Sequence, residues 1–279
     1  ENQISLDTKP VLGIAFDGLG YGEDGTLWGG EFLLADYVNF QRLATFKPIP
    51  MIGGSQAIYQ PWRNTFSQLN NAFTWEEVQE KYSDLEIIKF LETKNPKLLK
   101  QIIEKGINSP LTSSVGRLFD AVASAIGICR EQCSYEGQAA IEMEAIANVN
   151  ILNNDKESLN YSFKFEKSAN IYYIDTSLAW REIINAVKQQ VLPSEIAARF
   201  HQSLAILIVT IIKQLRQEHQ FHQVALTGGV FQNQILLQQV KMRLEKLEIN
   251  VLTHSIVPTN DGGLSLGQSV ITAAKYLKS

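Results

Sequence analysis

Three apolar runs open the chain, at residues 11–16, 26–34 and 40–46, and Gly-rich or polar stretches of hairpin length part them. Short apolar runs bounded in this way read as strands joined by turns, so the segment is predicted to fold as an antiparallel meander. The first turn, GLGYGEDG at 18–25, carries four glycines in eight residues. Such a backbone is free to take positive φ or to lie close against a ligand.

From 55 to 105 the signals turn helical. Thr74 and Glu77 stand in capping-box spacing, and Asn95-Pro96 starts a helix that Gly106 closes. These helices are expected at the periphery. Val115, Leu118, Phe119, Val122 and Ile126 then recur at helical spacing and predict a helix with a buried face. Another helix is expected from about Glu136 to Asn148, followed by a polar surface loop over 150–156. Residues 161–165 and 170–174 read as a second hairpin, and two long helices follow at 177–190 and 194–218. The last third reads most clearly: a strand at 224–227, Gly228-Gly229, a helix to about 247, a strand at 250–254, a loop and a final helix. That order is a βαβ unit.

Composition narrows the function classes. Hydrophobic residues make up 45% of the 279 and charged residues 19%, as in a folded protein with a sizeable core. The formal net charge of -4 argues against nucleic acid as a bulk partner, which demands clustered Lys and Arg. The longest apolar run, 204–212, is shorter than the about 20 residues a bilayer crossing takes, so it predicts a buried helix and no membrane partner. Residues 1–10 lack the basic start and apolar stretch of a signal peptide. The only two cysteines, Cys129 and Cys133, fit a reducing cytoplasm and a structural role. None of the four histidines, His201, His219, His222 and His254, makes a metal-ligand pair.

Five places carry candidate chemistry. In TGGVFQN at 227–233 the glycines admit phosphate oxygens to the backbone, and free N–H groups at the following helix start favour negative charge. Paired glycines also end strands for packing alone. Asp261, in PTNDGGLSLGQ, and Asp17, at the tip of the first strand, are acids suited to a cation or, equally, to caps and Asx turns. Glu136, Gly137 and Gln138 open a helix in SYEGQAA, where a carboxylate suits ribose hydroxyls or simply the helix dipole. Arg117 is placed to clamp a phosphate or carbamoyl group, or to pair with Asp120 one turn on.

Taken in order, the segments AFDGLGYGEDGTLWGGEFLLAD at 15–36, SSVGRLFDAVASAIGI at 113–128, SYEGQAAIEMEA at 134–145, and LTGGVFQN with NDGGLSLGQ resemble one family. It is the C-terminal, Kae1-like carbamoyltransferase region of the hydrogenase maturation factor HypF. The first segment is the specific one, because TGG and NDGG loops also occur in threonylcarbamoyl-transfer proteins. The resemblance implies an α/β, ribonuclease-H-like lobe of the actin, Hsp70 and sugar-kinase type, with a mixed sheet and flanking helices. Residues 1–279 would be its second lobe, with 1–50 the opening meander, 51–110 peripheral helices and 111–279 the nucleotide-binding core, and would belong to a larger protein.

The implied activity is transfer of a carbamoyl group from carbamoyl adenylate, made from carbamoyl phosphate and ATP, to the C-terminal cysteine of a HypE-type partner. There it becomes a cyanide ligand of nickel-iron hydrogenase. By position, Asp17 and Asp261 resemble metal-binding acids for zinc or iron, with magnesium for the nucleotide. Glu136, Gly137, Gly228, Gly229 and Asn233 resemble nucleotide contacts, and Arg117 and Gln138 are further catalytic candidates. The family's metal site also uses two histidines from a helix just before the strand that here starts at Val11, and this sequence has no such pair. The alternatives are threonylcarbamoyl transfer to tRNA, and a lobe that docks a partner without turnover.

Overall fold

The structure, a computed structural model, describes residues 1–152 and 160–278. Among them nine strands form one mixed sheet. They are β1 (Val11–Tyr21), β2 (Leu27–Ala35), β3 (Phe40–Phe46), β4 (Ile49–Pro50), β5 (Leu111–Thr112), β6 (Lys164–Ser168), β7 (Ile171–Asp175), β8 (Gln223–Thr227) and β9 (Asn250–Leu252). The helices are α1 (Gln56–Tyr59), α2 (Trp62–Ala72), α3 (Trp75–Tyr82), α4 (Glu86–Glu92), α5 (Pro96–Glu104), α6 (Val115–Ala125), α7 (Gln138–Ile146), α8 (Val149–Leu152), α9 (Ser177–Lys188), α10 (Pro193–Glu218), α11 (Gln234–Glu245) and α12 (Leu264–Lys278).

The sheet runs β6-β7-β3-β2-β1-β8-β9, with β4 and β5 paired beside β2. The expected meander is present: β1 pairs antiparallel with β2, and β2 with β3. β8 lies parallel to β1, and β9 parallel to β8, so the βαβ unit extends the same sheet. Alternation in β1 drives Leu12, Ile14 and Phe16 into the core, where Phe16 stacks on Phe231 with ring centres 5.7 Å apart.

Three expectations shift. The second hairpin forms, but its first strand starts at Lys164 rather than 161. The Tyr161 N–H donates to Ser203 Oγ and the Ser162 N–H to Glu182, which ties that stretch to α10 and α9 rather than to a strand. The stretch 51–110 is not peripheral throughout: α2 buries eight of its eleven residues, and Thr65 Oγ1 donates to the Ala121 carbonyl of α6. Of the loop expected over 150–156, residues 150–152 are helical, within α8, and 153–156 lie outside the described residues.

Helix α10 is long and apolar enough to cross a membrane by length and composition, yet fifteen of its 26 residues are buried in the fold. Its Phe200 ring meets Phe119 of α6 edge-on at 5.0 Å. It is the core helix that the apolar run 204–212 predicts.

Candidate functional site

A cavity of about 650 Å³, of a size that suits a small-molecule ligand, opens where the end of β1, the start of α6, α7, the turn after β8 and the loop before α12 converge. Asp17, Arg117, Glu136, Gly137, Gly229, Asn233 and Asp261 all border it. Five segments far apart in sequence thus bring most of the candidate residues to one place.

The turn after β8 is the tightest part of the frame. Gly228 takes φ of 96°, and a Cβ there would sit 2.1 Å from the Phe16 carbonyl oxygen, so no other residue fits. Gly228 does not itself border the cavity; its N–H donates to the Thr259 carbonyl, which draws the Asp261 loop alongside. The next residue reaches the site: the Gly229 N–H donates to Asp17 Oδ1 at 3.2 Å, as the Gly18 N–H does at 2.7 Å.

Asp17 therefore has Oδ1 committed to the backbone, while Oδ2 makes no hydrogen bond among the described residues. Burial, with the nearby Asp261 and Glu136 charges adding to it, raises its carboxyl above the usual range, against the pull of the two N–H donors. A cation between these acids would relieve that crowding. Among the described residues no group of three or more His, Cys, Asp or Glu side chains is set to hold a metal. Two carboxylates suit a hard cation that takes its other oxygens from phosphate and water, and do not make a closed tetrahedral site.

Helix α6 is pinned to this corner through its cap. Ser114 Oγ accepts from the Arg117 N–H and donates to the carbonyls of Asp17 and Gly18. Gly116 lets the helix lie against the strand end, since a Cβ there would be 2.9 Å from Gly18 Cα. Arg117 is 3% exposed, with Nε 3.2 Å from Asp120 Oδ2 and Nη2 3.8 Å from Glu136 Oε1. The contact with Asp120 is one of charge without the alignment of a hydrogen bond, so Nε and Nη1 have no hydrogen-bond partner among the described residues. Burial pushes the Asp120 carboxyl up to about 6, with Arg117 pulling the other way. The guanidinium borders the cavity, and since Nε and Nη1 are themselves sealed from solvent, an anion there would meet its charge and Nη2 rather than those two donors.

Two readings from sequence change. Gln138 does not border the cavity: its amide oxygen accepts from the Ser134 N–H, and Nε2 donates to Glu142, so it braces the turn before α7. The helix after the glycine pair does not offer free N–H groups to a phosphate. A turn of 3-10 helix (Gly229–Gln232) intervenes, and Glu144 Oε1 then accepts from the Gln234 N–H at 2.6 Å and the Ile235 N–H at 3.1 Å. Asn233 Oδ1 takes the Leu236 N–H at 2.8 Å. The protein's own groups complement the dipole of α11.

The chain matches the family model "Carbamoyltransferase, Kae1-like Domain, second subdomain" over residues 13–268. It belongs to the HypF carbamoyltransferase family. It is 38% identical to the carbamoyltransferase HypF of Rhodobacter capsulatus over 275 residues, covering 99% of this chain and 34% of that protein. It is 36% identical to that of Synechocystis sp., covering 96% and 35%. A crystal structure of full-length HypF in the phosphate- and nucleotide-bound form superposes with a TM-score of 0.83 at 34% identity, over 97% of this chain and 34% of that one. The chain thus spans about a third of the HypF proteins it matches, and its mixed α/β architecture is that of a Kae1-like domain.

The segment WGGEF, residues 28–32, is structural. A Cβ on Gly29 would lie 2.6 Å from the Asp17 carbonyl oxygen, and one on Gly30 2.4 Å from that of Ser113, so the glycines seat β2 beneath the site. Glu31, 2% exposed, accepts from Ser113 Oγ, Thr45 Oγ1 and Arg42 Nε. Sequence reasoning missed Glu144 and His201. The signal for Glu144 is weak, an acid one turn before the end of a helix. His201 lies within a largely apolar helix, where a polar ring signals a buried partner.

Proposed function

We propose that this lobe holds the carbamoyl adenylate formed from carbamoyl phosphate and ATP, and presents its carbamoyl carbon to the C-terminal cysteine thiolate of a HypE-type maturation protein. The carbon–sulfur bond forms as the bond from that carbon to the adenylate oxygen breaks, and AMP leaves with the electron pair. One observation carries the reading: a buried arginine and two acids share a cavity with the glycine turn after β8. The full-length relative that binds phosphate and nucleotide supports it.

In this reading Arg117 receives the phosphate charge, Gly229 lets that phosphate lie against backbone, Asn233 contacts the nucleotide, and Glu136 with Gly137 holds the ribose. With the start of α11 already occupied by Glu144, the phosphates belong nearer Arg117 and Asp17 than that helix. A divalent cation on Asp17 and Asp261 would neutralise phosphate charge and polarise the carbamoyl group. The protein's part is positioning and charge placement, which supply much of the barrier lowering in transfers of this kind. Cys129 and Cys133 take no part: burial pushes the Cys129 thiol up to about 12 and raises that of Cys133, so neither is a nucleophile at neutral pH.

The test is ATP binding by calorimetry and carbamoyl-phosphate-dependent AMP release in the full-length protein bearing this lobe, with Arg117→Ala as the variant. The expected result is a loss of about tenfold or more in ATP affinity together with loss of AMP release. Unchanged affinity and release would refute the assignment, and unchanged affinity without release in the parent protein would favour a docking lobe.

A further inference from the structure

We infer that His201, buried in α10 and outside the cavity, is a positioning residue that fixes which way the Asn233 amide faces, so that Asn233 offers the ligand a hydrogen-bond donor. The inference rests on the proposed role of Asn233 at the nucleotide.

His201 Nδ1 lies 2.7 Å from the Ala197 carbonyl oxygen, which can only accept, so Nδ1 carries the hydrogen. The ring is fully buried, between Phe119 at 5.2 Å and Phe200 at 6.3 Å, and among the described residues no carboxylate is bonded to it. Burial lowers its pKa to about 4 and keeps it neutral at physiological pH. A neutral ring protonated at Nδ1 has a bare Nε2, which can only accept. Asn233 must then present Nδ2 to it, at 2.8 Å. That turns Oδ1 towards the Leu236 N–H, where the α11 cap is made. The two bonds agree on one orientation of an amide whose ends look alike in shape. One hydrogen of Nδ2 remains, and Asn233 borders the cavity while being 9% exposed. The ligand atom it meets is therefore an acceptor: a phosphate or hydroxyl oxygen, or a ring nitrogen.

Two measurements test this. In protein labelled with ¹⁵N-histidine, with His201 assigned from His201→Gln, the ring should show a protonated Nδ1 and a bare Nε2, unchanged from pH 7.5 to 5.5. A protonated Nε2 would overturn the inference. In the second, His201→Leu removes the acceptor, and His201→Gln restores one at the reach of Nε2. ATP dissociation constants should rise about tenfold for the leucine variant, recover largely for glutamine, and show no further rise when His201→Leu is placed in Asn233→Ala. An equal loss in both backgrounds would mean that His201 acts through general packing and would sink the positioning role. Should Asn233→Ala alone leave ATP affinity unchanged, the nucleotide role of Asn233 falls, while the ring tautomer still decides the orientation argument. If the leucine variant fails to fold, the glutamine variant and the ring measurement decide.

Discussion

The wall of the cavity that carries Asp17 and Arg117 is held by buried bonds at each step, whereas the wall that carries Asp261 stands in solvent. On the first side Ser114 ties α6 to the end of β1, all eleven residues of α6 are buried, and Glu31 anchors the segment before the helix through Ser113. On the second side, Asp261 is exposed, and of the described side chains in α12 only Ala274 is buried. Leu264, Leu266, Val270 and Ile271 are exposed in that helix. A firm wall fixes charge placement, while an exposed apolar helix stabilises little within this chain and marks a surface fit for contact.

The largest expected effect comes from breaking the firm wall at its tightest point. Gly228→Val forces a β-branched residue into positive φ and drives Cβ into the Phe16 carbonyl, so a loss of more than about 3 kcal/mol is expected in urea unfolding. A loss below about 1 kcal/mol would show that the β1–β8 contact is looser than its geometry. Next comes Glu31→Ala, which takes one of two carboxylates from Arg42, only 9% exposed, and the shared acceptor from the Ser113 and Thr45 hydroxyls. Breaking a buried pair by removing one partner costs about 3 kcal/mol, screened here by the Arg42 contact with Asp24.

What was legible in the sequence follows the same division. Turns and close approaches were readable because only glycine satisfies them, so the meander and the glycine pair after β8 could be placed from residue type, and the spacing of apolar residues gave the buried face of the helix in 113–128. Arg117 and Asp120 were readable as a pair from their spacing. The exchange of partners was not: Glu144 and the α11 start are ninety residues apart, and no local rule says that a carboxylate from α7 takes those N–H groups rather than a phosphate. The burial of α2 was hidden for a like reason, because its Asn, Thr, Ser and Gln residues read as surface, and the bond from Thr65 to Ala121 exists only once α6 lies across it. His201 was lost among apolar neighbours, since its value depends on a residue 32 positions on.

A smaller effect tests the charge inside the firm wall. The Asp120 carboxyl stands near 6 in the fold against about 3.8 for an aspartate in the unfolded chain, so the folded state binds the extra proton. The contribution is fully present below about 4 and is lost as pH rises through 6, which makes the protein more stable at pH 5 than at pH 7 on this group's account. The shift corresponds to about 3 kcal/mol in full, part of it expressed between those two pH values. Urea midpoints at pH 5 and 7 should therefore differ less in Asp120→Asn than in the parent. Equal differences in the two proteins would place the titration elsewhere.

The smallest effect lies on the open side. Leu266 is 51% exposed on α12, and Leu118 is 3% exposed on α6, so the same change to serine has different consequences at two helices beside one cavity. At Leu118 the lost burial and the cavity left behind should cost about 3 kcal/mol. At Leu266 the urea midpoint of this chain should stay within about 0.5 kcal/mol of the parent. A cost at Leu266 that approached the cost at Leu118 would mean that α12 packs against the lobe in solution and that the exposed wall is as firm as the buried one. Asp261 would then be held as rigidly as Asp17, and a cation between them would find a preformed pair rather than one fixed carboxylate and one that closes onto it.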